Sequence, residues 1–337
     1  MSSITVIGAG SWGTAIALSL AANPEHEVML WPHRAEAAAV LLRDRENHQY
    51  LPGFALPEAL KIVTDEREAV SSAEILVFVT PSEFLRSTVS RLAPYLDSGQ
   101  ILLSATKGIE DHSHLRMTQV IASAIGDAEV PPSIGALSGP SFAQEVAAGM
   151  PTALTVAFSE PAVATAIQKA VSNPSLRLYT SDDLIGVEMG GALKNVIAIA
   201  AGVLAGLGLG LNSAAGLITR GIAEMTRLAV ACGGRRETLA GLSGIGDLVL
   251  TCTGSLSRNR TVGFELGRGR KLPEILAGLD GKVAEGVRTT RAALGLARSL
   301  GVEMPITEQM ELILDEDKDP KAAIRDLMLR PGRHEED

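Results

Sequence analysis

The stretch from Ile4 to Ala21, ITVIGAGSWGTAIALSLA, constrains this chain more than any other. It places Gly8, Gly10 and Gly13 as G-x-G-x-x-G directly after a β-branched run and at the opening of a helical pattern. In that setting each glycine has its own task. Gly8 permits a tight turn, Gly10 lets a pyrophosphate approach the backbone, and Gly13 allows the helix to pack closely on the strand. The helix N-terminus then faces the anion with its unpaired N–H groups. The first turn therefore predicts a dinucleotide site built on a parallel sheet.

The rest of the first half agrees. EVMLW, LKIV, EILVFV, QILLSA, IGALS, TALTVAF and LRLYT are short strand-like runs separated mostly by Ala-rich or amphipathic segments. Such alternation predicts an α/β fold, a Rossmann-type, mostly parallel sheet wrapped by helices. Beyond SDDLIGVEMGGALKN, where Ser181 is a candidate helix cap ahead of two acids, strand patterns stop. GLITRGIAEMTRLAVACGG, TRAALGLARSLG and ITEQMELILDE are all amphipathic at helical spacing. The expected organisation is a dinucleotide-binding domain over 1–181, an all-helical substrate domain over 182–330, and a charged tail over 331–337.

With 337 residues and 46% hydrophobic composition the chain can bury a large core. A net charge of -9 argues against nucleic-acid binding, so an anionic ligand must meet a local basic cluster. The two cysteines, Cys232 and Cys252, have neither metal nor disulfide-framework spacing, so no zinc-site pattern is visible, and their scarcity suits a reducing cytoplasm. The N-terminus enters a strand almost at once, without the pattern of an export signal.

Two features carry the chemistry. At the end of EVMLW, where an acid commonly holds a ribose in NAD sites, the chain has His33 and Arg34. An acid would repel a 2′-phosphate, whereas Arg34 can hold one with paired hydrogen bonds and His33 can assist, so NADPH is expected over NAD. The second feature is the apolar, glycine-rich stretch Gly186 to Gly221, which carries one charge, Lys194, between Glu188 and Arg220. Its length matches a membrane span, but its glycines together with Asn212 and Ser213 favour a buried helix broken near Gly208 to Asn212. On that helix Lys194 shares a face with Gly190 and Gly191, an arrangement read here as a floor for a flat ring or small substrate with a proton donor beside it. A lysine stem covering apolar surface is the plainer alternative.

Further along, Asp247 and Thr251 stand at i, i+4 on one helix face, followed by Ser257, Arg258, Asn259 and Arg260. They offer an acid, a hydroxyl and an anion-binding tip, or simply a capped, solvated helix start. Lys107 and the segment SGPSFAQEVAAGMPTA follow strands whose ends are where ligands bind in such sheets.

The segments GAGSWGTA, ATKGIE, SGPSFAQEVAAGMPTA, GGALKNVIAIAAG, GIGDLVLTCTGSLSRNR and VAEGVRTT, in this order and across nearly the full chain, resemble bacterial NAD(P)-dependent glycerol-3-phosphate dehydrogenase. The resemblance implies that Lys194 is the active-site lysine. It places Lys107, Asp247, Ser257, Arg258 and Asn259 around glycerol phosphate, with Gly139, Ser141 and Ala143 beside cofactor or substrate. Ser11, Trp12, His33, Val283, Glu285 and Arg258 would contact NADPH, with NAD as an alternative cofactor, and Thr251 would orient the site. It also implies a Rossmann domain followed by an all-helical domain, often in a homodimer, reversible reduction of dihydroxyacetone phosphate, and supply of glycerol 3-phosphate to phospholipid synthesis. From the residues themselves the protein is expected to be cytoplasmic and not integral to a membrane. Two positions depart from the pattern: Glu83 stands where a histidine-like residue is familiar, and Gln144 where lysine is common. Rival readings are a related dehydrogenase of a hydroxy acid or sugar acid, and a non-catalytic NADPH-binding module, which would have no need of Lys194, Asp247 and Arg258 together.

Overall fold

The computed structural model describes residues 2–126, 132–279, 283–332 and 334–335. Among the described residues ten strands are formed: β1 Ser2–Ile7, β2 His26–Trp31, β3 Glu46–Asn47, β4 Leu51–Ala55, β5 Leu60–Ile62, β6 Ile75–Phe78, β7 Ile101–Ser104, β8 Ser133–Ser138, β9 Thr152–Ala157 and β10 Leu176–Ser181. Eight of them make one sheet in the order β10-β9-β8-β7-β6-β1-β2-β5, and β3 pairs with β4 separately. Every pair in the large sheet is parallel except β8 with β9. The chain leaves β1 toward β2 and later returns to β1's other side with β6, so a topological switch point falls beside β1.

Register brings the chemistry to one edge. Ile7 lies level with both Trp31 and Phe78, and Phe78 with Ser104. Gly8, His33, Thr80 and Lys107 therefore leave their strands at the same C-terminal edge. Alternate residues of β1 pack on opposite faces: Ile4 and Val6 join a core with Ile16 and Leu20, while Ile7 joins Trp31, Phe78 and Leu85. Burial on both faces explains why these strands read as near-continuous apolar runs.

The segments expected to be strands correspond to the eight strands of the large sheet. The β3–β4 hairpin was not foreseen, because Pro52 and Gly53 interrupt any alternation there. After β10 the described chain is helical. Helix Leu184–Gly206 is buried all round at the centre of the second core, contacted by helices that include Leu211–Ala231, Arg258–Gly267 and Glu285–Leu300. It is long and apolar enough to cross a bilayer, yet most of its apolar window lies inside the fold. A helix surrounded by other helices needs no polar face, which accounts for its composition. The expected break is present, with Gly208 at φ +75° between two helices.

The expected cap is corrected. Asp183, not Ser181, caps this helix, its carboxylate accepting from Gly186 N at 2.9 Å; it also accepts from Arg235 N and the Thr238 hydroxyl. Ser181 instead accepts from Asp183 N.

The glycines of the central helix serve close packing. A Cβ on Gly202 would stand 2.0 Å from the Arg260 carbonyl oxygen, and one on Gly206 2.2 Å from that of Phe264. Reciprocally, Gly263 and Gly267 admit the carbonyls of Ile199 and Val203. Backbone thus meets backbone along two helices, and the N-terminus of helix Arg258–Gly267 is drawn close to Lys194.

Candidate active site

The glycine turn has the shape its spacing requires. Gly8 has φ +112°, and a Cβ on it would stand 2.7 Å from the Val79 carbonyl oxygen. A Cβ on Gly13 would stand 1.9 Å from the Gly8 carbonyl. Gly10 has no heavy atom within 4 Å of where its Cβ would sit, so the open space lies where a pyrophosphate would approach. Two buried groups at this edge, Trp12 Nε1 and Thr80 Oγ1, have no hydrogen-bond partner within the described chain. The cradle fits a dinucleotide.

Sequence reasoning missed what braces this turn. Asn47, buried in the hairpin, donates to the Ala9 carbonyl at 2.9 Å and to the Thr14 hydroxyl at 2.8 Å. The Ser11 hydroxyl donates to the Tyr50 carbonyl at 2.6 Å. Neither partner carries a periodic signal; only the polar cluster ENHQY marked the segment. At the end of β2, His33 and Arg34 are exposed, and Arg91 donates to His33 Nδ1 at 3.3 Å.

The second cluster is buried. Lys107, just past β7, donates to Asp247 Oδ2 at 2.6 Å and to the Gly139 carbonyl at 3.0 Å. Lys194 donates to Asp247 Oδ1 at 2.6 Å and to the Thr251 hydroxyl at 2.8 Å. Thr251 in turn donates to the Asp247 carbonyl at 2.6 Å, so its oxygen is left to accept from the lysine. One carboxylate, its side chain 1% exposed, thus holds two ammonium groups. Each lysine keeps a third N–H with no partner among the described residues.

Electrostatics follow from this geometry. Burial pulls Lys194 down; Asp247 opposes that and Lys107 reinforces it, leaving its pKa at about 8. Burial alone would raise Asp247, but the charges and hydrogen bonds of Lys107 and Lys194 outweigh it and hold the carboxyl below the usual range. Cys252 nearby is pushed up to about 12, chiefly by burial, and is not a nucleophile.

The glycine floor is corrected. A Cβ on Gly190 would stand 2.5 Å from the Ser243 carbonyl oxygen, and one on Gly191 2.4 Å from Ser138 Oγ. Both glycines are covered by protein, so they admit neighbouring segments to Lys194 instead of leaving open space.

The remaining candidates lie around this pair of clusters. Gly139, with φ +133°, accepts from Lys107 and from the Ser141 hydroxyl at 3.0 Å. Ala143 opens the short helix Ala143–Ala147, on which Gln144 is exposed. Ser257 caps helix Arg258–Gly267, accepting from Arg260 N at 3.2 Å. Arg258 is exposed and free of hydrogen bonds and ion pairs among the described residues. Asn259 is buried, donating to Asn195 and accepting from Gly286 N. Val283 and Glu285 are half-buried, and Glu285 lies within electrostatic reach of the second cluster. Burial raises Glu285 to about 7, against the opposing charges of Arg258, Lys194 and Lys107 and the N–H of Ser82. Glu83, one of the departures, pairs with Arg288 at 2.5 Å, tying the segment after β6 to helix Glu285–Leu300.

A nucleotide cradle at a sheet's switch point, facing a buried lysine held by a carboxylate and a hydroxyl, defines an NAD(P)-dependent oxidoreductase of the two-part, sheet-plus-helix kind. Models of the NAD-dependent glycerol-3-phosphate dehydrogenase N-terminus and C-terminus match residues 3–164 and 183–325. The chain belongs to the NAD-dependent glycerol-3-phosphate dehydrogenase family. It is 60% identical to a glycerol-3-phosphate dehydrogenase (NAD(P)+) of Acidobacterium capsulatum, over 99% of this chain and all of that one. It is 53% identical to one of Koribacter versatilis, over 99% of each. The crystal structure of glycerol-3-phosphate dehydrogenase from Coxiella burnetii matches with a TM-score of 0.92 and 39% identity, covering 98% of this chain and 99% of that one.

Proposed function

We propose that this chain catalyses the reversible reduction of dihydroxyacetone phosphate to sn-glycerol 3-phosphate, with NADPH preferred and NAD accepted, and so supplies glycerophospholipid synthesis. The observation that carries this reading is the buried Lys194 ammonium, held by Asp247 and Thr251 with the charge of Lys107 beside it and one N–H left without a partner among the described residues. The bound cofactor supplies the hydride. Lys194 donates to the carbonyl oxygen and releases its proton as that oxygen gains negative charge; a pKa of about 8 matches this task far better than an exposed lysine's. Asp247 and Thr251 hold the ammonium, and Lys107 places a second positive charge beside the developing alkoxide.

Arg258 is read as the phosphate grip, because its planar fork is charged, exposed and unpaired. Ser257 and Asn259 contribute less directly, since their side chains already cap and brace the same helix. Gly139 and Ser141 would line the substrate. Ser11, Trp12, Ala143, Val283 and Glu285 would border the cofactor, and His33 and Arg34 its 2′-phosphate. We also place the division between cofactor-binding and substrate-binding units at 181/182, the second running to 330 with 331–337 as a tail. The protein is read as cytoplasmic, not integral to a membrane, and dimeric; exposed Leu211, Met328 and Leu329 offer apolar surface for a second copy.

Mixing the protein with NADPH and dihydroxyacetone phosphate, and following loss of nicotinamide absorbance, tests this directly. Turnover with the phosphorylated ketone supports the reading. Turnover confined to a 2-keto acid, or none despite NADPH binding, would overturn it.

A further inference from the structure

Three residues that look unrelated in sequence meet in one buried chain. Asn259 Nδ2 donates to Asn195 Oδ1 at 2.9 Å, and Gly286 N donates to Asn259 Oδ1 at 3.0 Å. A backbone N–H can only donate, so the Gly286 end fixes which way the Asn259 amide points, and that in turn fixes Asn195. Asn195 is 4% and Asn259 9% exposed, leaving little solvent to compete for these bonds. Gly286 approaches so closely that a Cβ on it would stand 2.6 Å from the Asn195 carbonyl oxygen.

Each member adjoins a residue of the site. Asn195 follows Lys194, Asn259 follows Arg258, and Gly286 follows Glu285. The chain therefore fastens together, one peptide unit from the chemistry, the three helices that present the lysine, the arginine and the carboxyl group. Lys194 has a second anchor in Asp247 and Thr251, whereas the Arg258 side chain has no hydrogen-bond or ion-pair partner among the described residues and is placed only by its backbone next to Asn259.

From this geometry we infer that Asn195 is a positioning residue: through Asn259 it sets the distance from the Lys194 ammonium to the Arg258 fork, matching the site to a ketone with an anionic group at a fixed separation. This rests on the reading of Arg258 as the phosphate grip. A misplacement near 1 Å in such a pair commonly costs on the order of 10²-fold.

The test compares kcat/KM for dihydroxyacetone phosphate and for dihydroxyacetone, which lacks the anion. Asn195→Ala should lower the ratio of the two roughly tenfold or more, because the unphosphorylated ketone needs Lys194 but not Arg258. The alkaline limb of the rate profile should stay in place, since Lys194 keeps its own anchors. Asn195→Asp, which keeps an oxygen for Asn259 to donate to, should restore much of the ratio. An unchanged ratio in Asn195→Ala, or an Asn195→Asp protein as defective as it, overturns the inference. Should alanine leave the chain unfolded by circular dichroism, Asn195→Ser, too short to reach Asn259, takes its place with the same expected ratio. A wild-type protein indifferent to the phosphate would instead sink the reading of Arg258, a separate outcome visible before any variant is made.

Discussion

Gly10 at the first turn and the glycines of the central helix do opposite work. At the first turn, Gly10 faces empty space and has φ -73°, a value any residue adopts, so its own backbone gives no reason for glycine. Along the central helix, Gly190, Gly191, Gly202 and Gly206 all face atoms of neighbouring segments. One glycine makes room for a ligand and the others make room for the protein. The two halves of the site differ in the same sense: His33 and Arg34 are exposed at a strand end, while Lys194, Asp247 and Thr251 are buried and mutually bonded. An open half suits reversible cofactor binding, and a closed half suits control of one proton.

The sharpest way to break this contrast is to remove the lysine. Lys194→Ala should reduce kcat by at least about 10²–10⁴, the usual contribution of a general acid, and leave NADPH affinity by fluorescence titration within a few-fold of wild type. A collapse of NADPH binding in parallel with kcat would mean that the halves are not separable.

Next in size is the pH response. If Lys194 is the proton donor, as proposed, ketone reduction needs its ammonium form, which is present below about pH 8 and lost above it. kcat/KM for reduction should therefore fall about tenfold per unit above that point, while oxidation of the alcohol, which needs the free amine, should gain as the pH rises through it. A reduction profile flat to pH 10 would show that another group supplies the proton.

The sequence exposed the open half more fully than the closed one. Strand ends and the glycine turn are local: β-branched runs, turn residues and a fixed spacing placed Gly8, Gly10, Gly13, His33 and Lys107 at one edge without knowledge of distant contacts. The closed half depends on partners far apart in the chain, with Lys107 and Asp247 separated by 140 positions. Periodicity put Lys194 on a face with Gly190 and Gly191 but could not say what covers that face, and Ser243 and Ser138 do. Likewise a buried amide such as Asn195 carries no periodic signature, and the antiparallel pairing of β8 with β9 is set by tertiary arrangement.

Matched glycine variants sharpen the comparison further. Gly202→Ala must push apart two helices in backbone contact and should lower stability by about 1–3 kcal/mol, read as a fall in Tm. Gly10→Ala should leave Tm close to wild type and weaken NADPH binding, because the methyl group projects only into the cradle. Equal losses of stability in both would remove the distinction between ligand space and packing space.

The smallest expected effect belongs to the exposed edge. Arg34 occupies the N-cap of helix Ala35–Asp44 without making a side-chain cap. A cation there opposes the helix dipole, so helix stability gives no reason for an arginine at this position. A ligand's anionic group does. Arg34→Asp would install a favourable cap while placing negative charge where the 2′-phosphate is expected, so folding should improve slightly as cofactor preference changes. The ratio of NADPH to NADH affinity should fall roughly fivefold, the modest scale of solvent-exposed charge pairs, and the fall should shrink as salt is added. Because the substitution favours the helix, a lost preference could not be ascribed to unfolding. An unchanged ratio would separate Arg34 from the phosphate and leave His33, with Arg91 behind it, to account for cofactor choice.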